Sequence, residues 1–167
     1  MALVSIHDIV FAILTVSDSR AAGQGVDLSG MELARWIEMA GGFVKEQQVV
    51  SDTQTMIGRA IVSMCGSCDV VLTTGGTGLG PRDVTPEATK AVIDREVPGI
   101  AEMLRAIGLK SNQYACLSRG VAGIVGNSLV INLPGSPRAI KESMEVLLDI
   151  LPHAVALLRG HTDHPEQ

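Results

Sequence analysis

Thr73-Thr74-Gly75-Gly76-Thr77-Gly78-Leu79-Gly80-Pro81-Arg82-Asp83-Val84-Thr85-Pro86-Glu87 follows an apolar run, Asp69 to Thr74, and leads into a helical pattern. The stretch reads as the end of a buried strand, a glycine-rich turn and the start of a helix. In parallel α/β sheets ligands collect at the carboxyl ends of strands. A glycine turn there lets backbone N–H groups approach an anion without side-chain obstruction. Thr85 suits the N-cap and Pro86 the first helical position, so the helix dipole also favours negative charge nearby. A tight turn that needs left-handed glycines is the plainer explanation. Four glycines in the six residues from Gly75 to Gly80 exceed what one turn requires.

The loop is neither common nucleotide signature. No lysine follows the glycines as in a Walker A loop, and the G-x-G-x-x-G spacing is absent. It ends instead in Asp83 beside Arg82, which sets a carboxylate suited to Mg²⁺ next to a phosphate-binding cation. Asp83 equally suits an Asx-type turn before the helix.

Outward from this loop, the pattern alternates strand and helix. Ile9 to Val16 is a β-branched, apolar strand, Ser17 to Gly30 a polar loop, and Leu33 to Ala40 a helix stopped by Gly41-Gly42. Phe43 to Val50 supplies a second strand and Met56 to Met64 a second helix before the strand Asp69 to Thr74. Beyond the loop, Pro86 to Glu96 reads as a helix, and Pro98 starts another that runs to Gly108. Tyr114 to Ser118, Ile124-Val125 and Leu129 to Leu133 read as short strands, with Gly126-Asn127 a two-residue hairpin turn. Pro137 opens a helix through Leu148, and Pro152 opens a last one ending near Gly160. The expected architecture is α/β: a three-layer sandwich with a mostly parallel sheet flanked by helices and a local antiparallel hairpin. One domain over 1–160 is expected, with 161–167 a frayed tail.

Two other strand ends carry polar chemistry. Val130 to Leu133 runs into Pro134-Gly135-Ser136-Pro137-Arg138, where Ser136 caps a helix that Pro137 starts. Its N-terminus can hold an anion or simply form an ordinary strand-to-helix turn. Asp52 follows the second strand and reads as a helix N-cap or as a second carboxylate at the same sheet edge. Asp18, Asp27 and Ser29, on residues alone, are polar turn residues.

Composition excludes several function classes. With 13 basic against 18 acidic residues and four aromatics, a nucleic-acid groove has little material, so no nucleic-acid partner is expected. The apolar stretch Leu3 to Val16 is interrupted by Ser5, His7 and Asp8, so neither a signal peptide nor a membrane span is expected and a cytoplasmic location is. Three cysteines suit a reducing compartment. Cys65 and Cys68 form a C-x-x-C, but between a helix end and a strand start rather than opening a helix as a redox pair should.

Thr74-Gly75-Gly76-Thr77-Gly78, followed by Arg82-Asp83-Val84-Thr85-Pro86-Glu87-Ala88-Thr89, resembles the pterin and ATP loop of the molybdenum-cofactor biosynthesis domain family. The likeness is to its Mog-type adenylyltransferases and to the corresponding domains of plant Cnx and animal gephyrin. Thr15-Val16-Ser17-Asp18, Asp27-Leu28-Ser29-Gly30, Arg95-Glu96-Val97-Pro98-Gly99, Leu117-Ser118-Arg119 and Asn132-Leu133-Pro134-Gly135 fall in family order. Gly80-Pro81 and Gly120 stand where relatives vary.

The resemblance implies a homotrimer and a reaction in which a phosphate oxygen of molybdopterin attacks the α-phosphorus of ATP and expels pyrophosphate. Asp52 and Asp83 match its essential aspartates, as Mg²⁺ ligands or electrostatic positioners. Asp27, Ser29 and Ser118 become pocket contacts, with Ser118 and Arg119 on the pterin side or at its phosphate. Gly75, Gly76, Thr77, Gly78, Arg82, Pro134, Gly135 and Ser136 would hold nucleotide and phosphates. A downstream metal-insertion enzyme is an implied partner. The competing reading is a non-catalytic, MoaB-like molybdopterin-binding module, against which the Arg82 to Thr89 string favours the adenylating branch.

Overall fold

The computed structural model describes residues 4–161, so all of the expected frayed tail except His161 lies outside the described residues. The first strand, β1 (Val10–Val16), is buried along almost its whole length. After the short helix α1 (Asp18–Ala21), α2 (Leu28–Met39) turns Leu33 and Ile37 inward. β2 (Phe43–Val50), α3 (Gln54–Cys65) and β3 (Val70–Thr74) complete the first half. The second half holds α4 (Thr85–Lys90), β4 (Arg95–Glu96), α5 (Pro98–Leu109), β5 (Ala122–Val125), β6 (Ser128–Leu133) and α6 (Pro137–Leu158).

The six strands form one sheet in the order β2-β1-β3-β6-β5-β4. β2, β1, β3 and β6 run parallel, whereas β5 lies antiparallel to β6 and β4 antiparallel to β5. The hairpin expected at Gly126-Asn127 is present, with Val125 paired to Ser128. Alternation along the central strands divides the core in two. Phe11, Ile13, Val70, Leu72, Leu129 and Ile131 face α2, α5 and α6, while Ala12, Leu14, Val71 and Val130 face α3 and α4. The three layers follow from this alternation, because a central parallel strand must bury both faces. β2 is the exception: at the sheet edge it exposes Phe43, Lys45, Gln47 and Gln48.

Four local expectations are corrected. The loop Ser17 to Gly30 contains α1, and α2 starts at Leu28 because Asp27 caps it by accepting the Gly30 N–H at 2.9 Å. The helix expected to reach Glu96 ends at Lys90. From there the sheet captures the chain, with the Asp94 N–H donating to Ile124 O at 2.7 Å and that of Val97 to Ala122 O at 2.8 Å. Tyr114 to Ser118 is not a strand but a 3₁₀ turn, Gln113–Leu117, whose start is capped by the Asn112 side chain accepting from Tyr114 N. Pro152 does not restart a helix either; it lies inside α6. An internal proline costs about 3 kcal/mol. The buried stripe Ile140, Met144, Leu147, Leu151 and Val155 runs through it, and each such side chain contributes about 1.5–3 kcal/mol, so continuity wins.

Candidate functional site

The strand order reverses around β1: the chain leaves β1 for β2 on one side and returns to β3 on the other. Such a switch point opens a crevice at the carboxyl ends of the strands. Four turns meet there, after β1 (Asp18), β2 (Asp52), β3 (Gly75 to Asp83) and β6 (Pro134 to Ser136).

The turn after β3 can be made only by glycine. Gly75 and Gly76 have φ of +94° and +65°, in the region that disfavours any Cβ. A Cβ on Gly75 would stand 2.4 Å from Val16 O, and one on Gly76 2.4 Å from Thr85 Oγ1. The Thr85 hydroxyl is not a helix cap as expected. It lies at the first position of α4 and donates to Gly75 O at 2.9 Å, while Val84 occupies the cap position. The turn after β6 packs beside it, with a Gly135 Cβ only 3.5 Å from Gly75 Cα. Ser136 does cap α6, accepting the Ala139 N–H at 3.2 Å.

Behind the loop lies a chain of buried hydroxyls and one amide. Asn132 Nδ2 donates to Thr73 Oγ1 and Thr89 Oγ1, both at 2.9 Å, and its Oδ1 accepts from Val121 N at 3.2 Å. The Thr89 hydroxyl donates to Thr85 O at 2.9 Å, which ties the sheet core to the glycine turn. Residue types alone do not mark Asn132 as the centre of this network. The one signal is a polar amide inside an otherwise apolar strand.

The expected site residues fall into two groups. Thr77, Gly78, Ser118, Pro134 and Ser136 line a cavity of about 250 Å³ whose far wall is α5, the 3₁₀ turn and the start of α6. Asn132 and Glu142 also face it, as does Arg105, whose guanidinium holds the rim by donating to Gly120 O at 3.1 Å. Asp52, Asp83 and Arg82 stand instead on the outer rim of the glycine loop. A Gly76 Cβ would lie 3.4 Å from Asp52 Oδ1, and a Gly78 Cβ 2.9 Å from Asp83 Oδ2. Asp52 is not the helix cap, a position that Thr53 holds without a side-chain bond. Its Oδ2 accepts the Asp18 N–H at 2.7 Å. Asp83 Oδ2 accepts the Gly80 N–H at 2.9 Å, the Asx-like arrangement its position allowed.

Several residues are committed to structure. Arg119 donates to Gly78 O at 2.7 Å and to Asp83 O, and pairs with Glu87, holding that carboxyl below the usual range. Its guanidinium therefore clamps the loop in place. Asp27 caps α2 and accepts the Thr15 hydroxyl at 2.7 Å, with the Ser29 hydroxyl also donating to it. Arg82 donates from Nε and Nη2 to Asp18 Oδ2, at 3.1 and 2.7 Å. Asp18 Oδ1 also accepts the Asp52 N–H, and that bond, with those from Arg82, lowers the Asp18 carboxyl pKa. The sequence alone does not single out Asp18, whose position in a polar loop gives no hint that it meets two distant segments.

Among the described residues no group of three or more His, Cys, Asp or Glu side chains is arranged to hold a metal. An ion shared with phosphate oxygens, as Mg²⁺ commonly is, takes only one or two protein carboxylates, and Asp52 and Asp83 are carboxylates of that kind beside the loop.

Residues 12–153 match the molybdenum-cofactor biosynthesis family described as "Probable molybdopterin binding domain". The molybdopterin adenylyltransferase of Helicobacter pylori strain J99 is 39% identical over 153 residues, covering 89% of this chain and 87% of that protein. A molybdenum cofactor biosynthesis bifunctional protein of Synechococcus elongatus is 40% identical over 157 residues, spanning 93% of this chain and 49% of the longer one. The crystal structure of the molybdopterin biosynthesis enzyme MoaB from Thermus thermophilus superposes with a TM-score of 0.84 at 44% identity, over 91% of this chain and 97% of that one.

Proposed function

The chain belongs to the molybdenum-cofactor biosynthesis family of molybdopterin-binding domains, and from that premise we propose that it is a molybdopterin adenylyltransferase. An oxygen of the terminal phosphate of molybdopterin attacks the α-phosphorus of ATP. The new P–O bond forms as the bond to the β-phosphate bridge breaks, and pyrophosphate leaves. The observation that carries this reading is the glycine loop with one face on a cavity and the other beside two carboxylates. One face suits a pterin, the other a nucleotide triphosphate. Relatives that share most of the chain and carry the adenylyltransferase name favour this over the binding-only module.

In this reading the pterin lies in the cavity near Ser118, and the backbone of Gly75 to Gly78, with Pro134, Gly135 and Ser136, stands between the two ligands and receives the phosphates and the nucleotide that carries them. Asp52 and Asp83 would hold Mg²⁺, which when bound offsets phosphate charge and polarises the reacting phosphoryl group. Arg82, held by Asp18 at this rim, is the cation for a phosphate oxygen. Asp27 and Ser29 support the site through the start of α2, and Arg119 supports it by fixing the loop. Four preorganised turns lower the barrier by holding both phosphates in line before reaction.

The finer expectations stand as proposals. A homotrimer is the expected assembly in sedimentation equilibrium, and exposed Leu28, Met31 and Phe43 leave apolar area for an interface. A cytoplasmic location is proposed, and among the described residues no helix is long and apolar enough to cross a membrane. The bifunctional relative supports a partner that carries out another step of cofactor biosynthesis, such as metal insertion. The deciding experiment incubates purified protein with molybdopterin and Mg-ATP. Adenylated pterin and stoichiometric pyrophosphate are expected; molybdopterin binding without either product would leave only the binding module.

A further inference from the structure

Asp18 and Asp52 close a ring of two hydrogen bonds at the carboxyl ends of the strands, and Arg82 joins it through Asp18. The Asp18 N–H donates to Asp52 Oδ2 at 2.7 Å, and the Asp52 N–H returns a bond to Asp18 Oδ1 at 2.9 Å. The other Asp18 oxygen accepts twice from Arg82. Asp18 itself is anchored, because the Ser17 N–H donates to Val50 O at 2.9 Å and extends the β1–β2 pairing to the residue before it. Both oxygens of its carboxylate are therefore engaged within the protein, whereas Asp52 Oδ1 remains turned toward the glycine loop.

Stability does not account for this ring. The Arg82 and Asp18 side chains are 64% and 47% exposed, and exposed pairs contribute little to folding. What the ring does is remove rotational freedom from two long or mobile side chains at the edge of a phosphate site. We propose that Asp18 is a positioning residue for AMP transfer, one that fixes the Asp52 carboxylate and the Arg82 guanidinium as a single unit facing the glycine loop. The proposal rests on the adenylyltransferase reading and adds a residue that acts through its neighbours. Asp18 touches neither substrate; it holds the groups that do.

The substitution Asp18→Asn isolates this role. The amide oxygen can still accept the Asp52 N–H and the backbone bond to Asp52 is unchanged, but an NH₂ group cannot accept from Arg82. Expected is a loss of roughly a hundredfold in kcat, the scale for displacing a reacting group by about 1 Å. The KM for ATP and the molybdopterin affinity should move less than about threefold, as for a group that acts on the transition state. Thermal stability should not change. Arg82→Gln should give a comparable loss, and the double variant should be no worse than either single one, because coupled residues are not additive. A readout without turnover is amide exchange in the ligand-free protein: Asp18→Ala should speed exchange at Asp52. Wild-type kcat in Asp18→Asn, multiplicative losses in the double variant, or unchanged Asp52 exchange would each overturn the proposal. Failure of the wild-type protein to adenylate would instead overturn the functional reading, leaving the exchange measurement to decide the link between Asp18 and Asp52.

Discussion

The two sides of the glycine loop are built differently. On the cavity side Arg105 is spent on Gly120 O and Asn132 on two threonines and the Val121 N–H, while Arg119 beside it is spent on two carbonyls and Glu87. Among the described residues no buried side-chain nitrogen or oxygen lacks a partner. On the outer side, Asp52 and Asp83 each use one oxygen on a backbone N–H and sit at the solvent edge. One side spends its hydrogen bonds on shape, and the other keeps charge available for a ligand. A mutation on the first should therefore damage the fold, and one on the second the chemistry.

The sharpest way to break that contrast is to remove charge from the outer side without changing shape. Asp83→Asn and Asp52→Asn should each lower AMP transfer at least roughly a hundredfold, the scale for losing one strong electrostatic contact in a transition state. Both proteins should melt at the wild-type temperature and still bind molybdopterin. Asn serves as well as Asp in a turn or cap, so a purely structural role would leave both variants active. Near-normal pyrophosphate release in Asp52→Asn would remove it from the chemistry and leave Asp83 alone.

The same contrast explains what the sequence discloses. The glycine loop, the parallel strands and the hairpin are legible because each is encoded within a few consecutive residues: a β-branched run, four close glycines, a Gly-Asn turn. Asp52 and Asp83 are visible as carboxylates at strand ends. Hidden are groups whose meaning comes from residues far along the chain. Asp18 meets Arg82 across 64 positions and Arg119 meets Gly78 across 41. The short α4 is hidden for the same reason: helix spacing continues locally past Lys90, but pairing with β5 offers the following backbone better partners. Pro152 errs the other way, as a local stop signal overridden by a buried stripe that local rules do not weigh.

On the cavity side the corresponding test is Asn132→Leu, which is close in volume but makes none of the bonds. It would strand the Val121 N–H and the Thr73 hydroxyl, while Thr89 keeps its bond to Thr85 O, and each buried unsatisfied group costs about 1–3 kcal/mol. A loss of about 3 kcal/mol is expected, which for a chain of this size lowers Tm by roughly 6–12 °C. Activity per folded molecule should fall less than in the aspartate variants. If Asn132→Leu kept its Tm but lost all turnover, the division between a shape side and a charge side would fail.

The smallest effect is expected at the C-x-x-C pair. Cys68 lies just before β3, at the amino end of the sheet, and the whole five-residue strand Val70–Thr74 lies between it and the glycine loop, a span of roughly 16 Å at about 3.3 Å per residue. What fixes this corner is Ser128, whose hydroxyl donates to the carbonyls of Cys65 at 2.9 Å and Cys68 at 2.7 Å. Burial pushes the Cys65 thiol up to about 11 and raises that of Cys68 as well. At neutral pH neither is a thiolate, and the thiolate is the form that attacks or binds metal. Cys65→Ser and Cys68→Ser should therefore transfer AMP at the wild-type rate. At pH 7 iodoacetamide should label exposed Cys116 well before either partner of the pair, as read by peptide mass spectrometry. Rapid alkylation of Cys65 or Cys68 with parallel loss of activity would mean that chemistry extends to the far end of the sheet, which the placement of Asp52 and Asp83 beside the glycine loop at the opposite edge argues against.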